Sequence, residues 1–251
     1  MSPMATGAAV RWGAVAGRTI YFGHQSVGRD LIAGIKRLNH EGAIGLSLIQ
    51  TEDPTSLTGP AFVHFLAGNN RDYASKNAAL LRLLKTRKQA DGAIVLLKYC
   101  YVDIGGDLDP DTLFSAYCEM METIQSEYPD VTVVHSTIPL TTVENVFRAG
   151  ANQIMGRPTL RNASIDRHRY NELLRAEFGG IQPIFDLARV EATRPDGTLA
   201  GFMSRGSLVE TLAPENTYDG GHLTPECQLA AAEELLNVLA DVIDGSCALL
   251  S

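Results

Sequence analysis

Arg18-Thr19-Ile20-Tyr21-Phe22, the break Gly23-His24-Gln25-Ser26, and the helical pattern that opens at Val27 decide how this chain reads. The first five residues include the β-branched and aromatic side chains that favour a strand. After the break, Leu31, Ile32, Ile35 and Leu38 recur on one face of a helix running to about Asn39. A strand that turns directly into an amphipathic helix is the opening of a βαβ unit, so a parallel sheet is expected.

Outward from this stretch the alternation continues. Residues 45–50 read as a second short strand and residues 77–88 as an amphipathic helix. Residues 93–98 (AIVLLK) form a near-continuous apolar run, the mark of a strand buried on both faces. Residues 111–128 are helical behind Asp109-Pro110, a capping residue and a first-turn proline. A fourth strand is expected over residues 131–138, a polar helix over 162–178 and a fifth strand over 183–187. Thr224-Pro225 then starts a last helix running to about Ile243. The expected fold is α/β, a parallel sheet of about five strands with helices on both faces. No repeat, low-complexity tract or linker divides residues 1–251, so one domain is expected. Residues 141–161 and 194–218 carry no clear period, and long connections of this kind usually shape a functional surface.

Composition limits the partners. The chain is 45% apolar and 20% charged, enough for a sizeable core, and its net charge of -8 comes without a basic block. Nucleic acid is therefore not an expected partner. The first residues lack a basic start followed by a long apolar stretch, and no window approaches a membrane span, so a soluble, cytoplasmic protein is expected. Cys100, Cys118, Cys227 and Cys247 are scattered and read as reduced thiols. The histidines show neither HxH nor HExxH spacing, and the glycines form no nucleotide-binding pattern, so no metal or other cofactor is expected. The oligomeric state is left open.

Two segments can carry chemistry. Ser26 stands where a strand turns into a helix, the end of the sheet at which ligands bind in open α/β folds. There it is either an N-cap or a nucleophile beside a helix N-terminus that favours negative charge. Far downstream, Asp219-Gly220-Gly221-His222 places a carboxylate and an imidazole across a tight turn. A hydroxyl nucleophile needs an adjacent base, and that base needs an orienting partner. Asp219 can hold one imidazole nitrogen of His222 and leave the other to take the serine proton. The alternative is a surface turn with an incidental histidine.

These segments resemble the SGNH/GDSL-type hydrolase superfamily, in which the nucleophilic serine follows the first strand and an Asp-x-x-His pair precedes the last helix. Phe22-Gly23-His24-Gln25-Ser26-Val27-Gly28 stands in the place of the Gly-Asp-Ser block, with Gln25 where the family has Asp, and Asp219-Gly220-Gly221-His222-Leu223 matches the second block. The resemblance implies a flavodoxin-like, three-layer α/β/α fold. It also implies an oxyanion hole built from the Ser26 N–H, a glycine matched by Gly68, and an asparagine after the third strand. That asparagine is missing from Leu97-Lys98-Tyr99-Cys100-Tyr101-Val102-Asp103. Asn70 is the favoured substitute, ahead of Asn69, with Tyr99, Tyr101 and Lys98 as the alternatives.

Other residues carry two readings each. Tyr99 and Tyr101 either pack at a strand end or contact substrate. Lys98 either pairs with a carboxylate such as Asp103 or meets an anionic substrate group. His24 lies two residues before Ser26 and would share its direction along an extended segment, which makes it a candidate substrate contact. His135 reads as a satisfied core histidine. The resemblance implies a serine esterase or deacylase acting through an acyl-enzyme on an acetyl or short acyl ester of a small molecule or sugar. An acyltransferase with the same triad and a non-catalytic, ligand-binding member of the fold are the alternatives.

Overall fold

A computed structural model describes residues 11–42, 44–87, 92–105, 108–143 and 160–245 of the chain. Strand β1 (Ile20–His24) leads into helix α1 (Ser26–Gly42), as the opening stretch predicts. Then follow β2 (Leu48–Gln50), β3 (Phe62–Leu66), α2 (Tyr73–Thr86), β4 (Ile94–Leu97), α3 (Pro110–Glu127) and β5 (Thr132–Val133). The remaining elements are β6 (His135–Ser136), α4 (Leu160–Phe178), β7 (Ile184–Phe185), α5 (Leu187–Ala192), β8 (Gly201–Ser204), β9 (Ser207–Glu210) and α6 (Pro225–Ile243).

The central sheet is parallel, with strand order β2-β3-β1-β4-β5. Alternation along its strands divides the core in two. Ile20, Phe22, Ile94 and Leu96 face the side covered by Leu31 and Ile35 of α1 and Leu235 and Leu239 of α6. Tyr21, Val63, Phe65, Val95 and Leu97 face the other side, against Leu80 and Leu83 of α2, Tyr117 of α3 and Tyr170 of α4. Apolar surface on both faces of every central strand is what forces helices onto both sides. The result is a three-layer α/β/α fold.

Three local expectations need correction. Phe62–Leu66 is a full central strand absent from the expected set. Polar His64 interrupts its apolar run, yet five residues pair in register with β1. The expected strand over residues 131–138 divides at Val134: β5 pairs with β4, while β6 pairs with β7. Residues 194–218 are not an unstructured connection, because they hold the β8–β9 hairpin. Its two-residue turn is Arg205-Gly206, with φ of 48° and 87°, the pair of positive values that a tight hairpin turn requires. Residues 144–159 of the other unassigned stretch, and Cys247, lie outside the described residues.

The expected caps are present. Asp109 accepts from the Thr112 N–H, and Thr224 accepts from the Cys227 N–H with Pro225 at the first helical position. Among the described residues no helix is long and apolar enough to cross a membrane.

Candidate active site

The site lies at the carboxyl end of the sheet, where the loops after β1, β3 and β4 meet the turn before α6. Ser26 is the first residue of α1, half-buried, and its Oγ makes no hydrogen bond to a first-turn N–H. Capping therefore does not occupy it. Its neighbour is the buried Cys100, whose Sγ lies 3.7 Å from Ser26 Oγ. Close packing beneath α1 requires a glycine: a Cβ on Gly28 would come within 2.3 Å of the His24 side chain.

The loop after β3 is held against this turn by Gln25. Its Nε2 donates to Ala67 O at 3.0 Å and to Gly68 O at 2.7 Å. An aspartate, the usual residue before the serine in the resembling family, has no N–H to offer two carbonyls, so the amide answers a local need. Gly68 adopts φ of 52°, and a Cβ there would lie 2.5 Å from Lys76 N. Only glycine fits, and among the described residues its N–H has no hydrogen-bond acceptor.

Asp103 joins the same loop to the one after β4. The buried carboxylate accepts from Arg71 N at 2.8 Å and Cys100 N at 2.6 Å, and it pairs with Lys76. The expected Lys98–Asp103 pair therefore does not form. Lys76, reaching up from α2 beneath the Gly68 loop, takes that place. Lys98 is fully buried and, among the described residues, donates only to Tyr99 O, at 3.2 Å. Burial lowers its pKa, with the Cys100, Glu191 and Asp103 side chains acting in the opposite direction.

On the far side, Asp219 Oδ2 and His222 Nδ1 are 2.6 Å apart. Asp219 Oδ1 accepts from the N–H groups of Gly221 at 2.9 Å and His222 at 2.8 Å. Those donors, led by the His222 N–H, pull the Asp219 carboxyl down to about 2. An ionised carboxylate there accepts the Nδ1 proton, so in the neutral imidazole Nε2 is the acceptor. The Tyr101 and Tyr218 rings flank the imidazole, with centroids at 6.4 and 6.1 Å.

Asp30 fastens this turn to α1. Its Oδ2 accepts from Leu223 N at 3.1 Å, and its Oδ1 accepts from Gln228 Nε2 at 3.3 Å. Four residues separate Asp30 from Ser26, so both stand on one face of the helix. Asp30 thus ties the end of the Asp219–His222 turn to the helix face that carries Ser26. In this arrangement Ser26 Oγ points to Cys100 and shares no hydrogen bond with His222.

The remaining candidates divide. Asn70 is exposed; its Oδ1 accepts from Lys76 Nζ at 3.2 Å, which turns its N–H2 end away from the lysine. Tyr101 is half-buried beside His222. Tyr99 is not a substrate contact: it lies in the opposite core against Tyr117 and Tyr170, its hydroxyl 2.5 Å from Asn77 Oδ1. The strand's alternation sends it there, one residue from Cys100. His24 is not one either. It is 1% exposed, with Nδ1 2.9 Å from Gln25 O and Nε2 3.2 Å from His64 Nδ1, and burial lowers its pKa to about 3. The chain has left extended geometry by Ser26, so the two side chains diverge. His135 is the satisfied core histidine expected: fully buried, it meets Tyr117 Oη at 2.7 Å and Gln182 Oε1 at 2.8 Å. Among the described residues no group of three metal-ligating side chains occurs.

Asp30, Cys100, Asp103 and Lys76 are participants that sequence reading did not assign to the site. Only Asp30 carries a local signal, its i+4 spacing from Ser26. The others arrive through loop contacts between strands that are distant in sequence.

This architecture is a three-layer α/β/α fold of the kind found in GDSL-like proteins of known structure. No family model matches the sequence, and no curated protein matches it. Among solved structures it is similar to a GDSL-like lipase from Bacteroides thetaiotaomicron, with a TM-score of 0.52 and 10% identity over 92% of this chain and 89% of that one. It is also similar to the periplasmic domain of a lipopolysaccharide acetyltransferase from Salmonella ser. Paratyphi A, with a TM-score of 0.50 and 14% identity over 91% and 87%.

Proposed function

We propose that the protein is a serine-dependent carboxylic ester hydrolase that works through an acyl-enzyme. The observation that carries this reading is the Asp219–His222 pair, clamped by Asp30 to the helix that begins with Ser26. The mechanism requires Ser26 Oγ to leave Cys100 and meet His222 Nε2. His222 takes the proton as Ser26 Oγ attacks the ester carbonyl, and Asp219 stabilises the imidazolium. The oxyanion is held by the Ser26 and Gly68 N–H groups, with the Asn70 amide as third donor in place of the missing strand-end asparagine. His222 then returns the proton to the leaving alcohol and activates water against the acyl-enzyme.

The substrate class proposed is an acetyl or short acyl ester of a small molecule or sugar. The fold shared with a GDSL-like lipase supports ester chemistry. The likeness to an acetyltransferase domain keeps acyl transfer to an alcohol as the second reading. A competing alcohol separates the two, since a transferase yields the new ester and a hydrolase the free acid.

The test is covalent labelling with a fluorophosphonate probe. Stoichiometric labelling of the parent, lost in Ser26→Ala, is the expected result. No labelling of the intact protein, or labelling that survives Ser26→Ala, rejects the mechanism.

A further inference from the structure

A cleft of about 590 Å³ opens beside Tyr101, within the size range of small-molecule sites. Its walls include Arg71, Tyr101, Asp103, Thr141 and Arg167. Tyr101 connects it to the proposed active site. One side of the ring meets the His222 imidazole edge-on, and a Cβ on Gly221 would lie 3.1 Å from the Tyr101 hydroxyl.

The charges on these walls do not cancel. Asp103, the carboxylate among them, is neutralised by Lys76 and by two backbone N–H groups. Arg71 is exposed, and among the described residues no carboxylate pairs with it. Its backbone takes φ of 66°, uncommon for a residue with a side chain, and its N–H donates to Asp103 at 2.8 Å. That conformation sets the direction in which the Arg71 side chain leaves the loop.

Arg167 lies at the other wall, almost wholly buried. It donates to Tyr101 O at 3.0 Å, Thr141 Oγ1 at 2.7 Å and Ser164 Oγ at 3.2 Å, all neutral acceptors. Its Nε is buried and has no hydrogen-bond partner among the described residues. Asp166 and Glu191 act on it only from beyond ion-pair distance. A guanidinium withdrawn from water without a paired carboxylate leaves a positive field in the cleft.

The reaction proposed above gives this cleft a direction. His222 returns its proton to the departing oxygen, so the alcohol leaves on the His222 side, and Tyr101 borders that side. We infer that the cleft receives the alcohol portion of the ester and selects alcohols carrying an anionic group, which Arg71 binds in the field of Arg167. The assignment rests on the ester-hydrolase reading and adds a substrate class to it. Arg71 contributes two N–H donors in a planar fork suited to a carboxylate.

The experiment compares 4-acetoxybenzoate, whose leaving group is an anionic alcohol, with its neutral methyl ester, alongside fluorophosphonate labelling of Ser26. The ratio of kcat/KM for acid over methyl ester is measured for the parent, Arg71→Gln, Arg71→Lys and Arg71→Glu. Using each protein's own ratio removes the intrinsic reactivity difference between the two esters. One lost charge-assisted hydrogen bond predicts that the ratio falls about tenfold in Arg71→Gln. It should be partly restored in Arg71→Lys and fall furthest in Arg71→Glu. If Ser26 labels and both esters turn over, but the ratio is the same in all four proteins, the cleft assignment is overturned and the hydrolase reading stands. If Ser26 does not label and neither ester is cleaved, the hydrolase reading falls and the cleft assignment with it.

Discussion

Asp30→Ala tests the geometry most directly, because it removes the clamp without touching Ser26, Asp219 or His222. The Asp30 carboxylate accepts the Leu223 N–H at 3.1 Å and the Gln228 amide at 3.3 Å. Leu223 is fully buried, so truncation leaves its N–H without an acceptor. A stranded buried donor costs about 1–3 kcal/mol. For a chain of this size, at about 2–4 °C per kcal/mol, that lowers the melting midpoint by roughly 2–12 °C. The turnover loss is expected to be larger in proportion. Once released, the turn lets His222 drift relative to Ser26, and a displacement of about 1 Å lowers turnover about a hundredfold.

Asp30→Asn is the paired control. The amide oxygen still accepts from the Leu223 N–H, and Gln228 Nε2 keeps its bond to Leu223 O at 2.9 Å. Burial raises the Asp30 carboxyl above the ordinary carboxylate range, so replacing the charge with a neutral amide removes an unfavourable ionisation. Melting curves and kcat/KM on 4-nitrophenyl acetate, taken well below the midpoint, separate stability from positioning. The expected pattern is loss of both in Asp30→Ala and recovery of both in Asp30→Asn. If Asp30→Ala melts lower but cleaves the ester within about twofold of the parent, the clamp plays no part in placing His222.

Three further outcomes follow from the same contacts. Gln25→Glu sets a carboxylate against the Ala67 and Gly68 carbonyls and detaches the Gly68 loop, so ester turnover should fall tenfold or more by the usual effect of an oxyanion donor; parent-like kcat/KM rules out that loop as the cradle. Burial lowers His24 to about 3 and His135 to about 4, against an unfolded value of 6.5. The unfolded chain then binds more protons below about pH 6.5, so stability should fall steadily as pH drops toward 4, and a melting midpoint flat across that window contradicts it. Glu191 acts with the opposite sign. Burial pushes it up from 4.5 to about 8, so between those values the folded state keeps a proton that the unfolded chain has lost, and stability falls as pH rises. Glu191→Gln keeps an acceptor for Leu140 N–H and should gain on the parent in denaturant midpoint as pH approaches 8; an unchanged difference across the window refutes it.

Much of the fold was legible because its signals are local. The alternation of apolar strands with helix-period segments pointed to a parallel sheet covered on both faces. Pro110 and Pro225 behind Asp109 and Thr224 marked two helix starts to within a residue. The Phe62–Leu66 strand escaped because His64 interrupts its apolar run. Inside the sheet that histidine is no interruption, since His24 on the neighbouring strand offers it a hydrogen-bond partner 3.2 Å away. The β8–β9 hairpin escaped because Arg205-Gly206 is not among the usual hairpin dipeptides.

The same division runs through the site. Asp219 and His222 are three residues apart, so their contact is a property of one turn and could be read from the chain alone. So could the position of Ser26 at the end of the first strand. What joins the two is not local. Asp30 reaches Leu223 across 193 positions, Asp103 reaches Arg71 across 32, and Gln25 reaches Gly68 across 43. Whether Lys98 or Lys76 pairs with Asp103, and whether Tyr99 or Tyr101 faces the cleft, depended on strand register and helix packing. Spacing along a chain determines neighbours only within a turn or two. Beyond that range, the closing of the sheet and the docking of its helices choose which polar groups meet, and here they chose Asp30 as the partner that ties the Asp219–His222 turn to the helix that begins with Ser26.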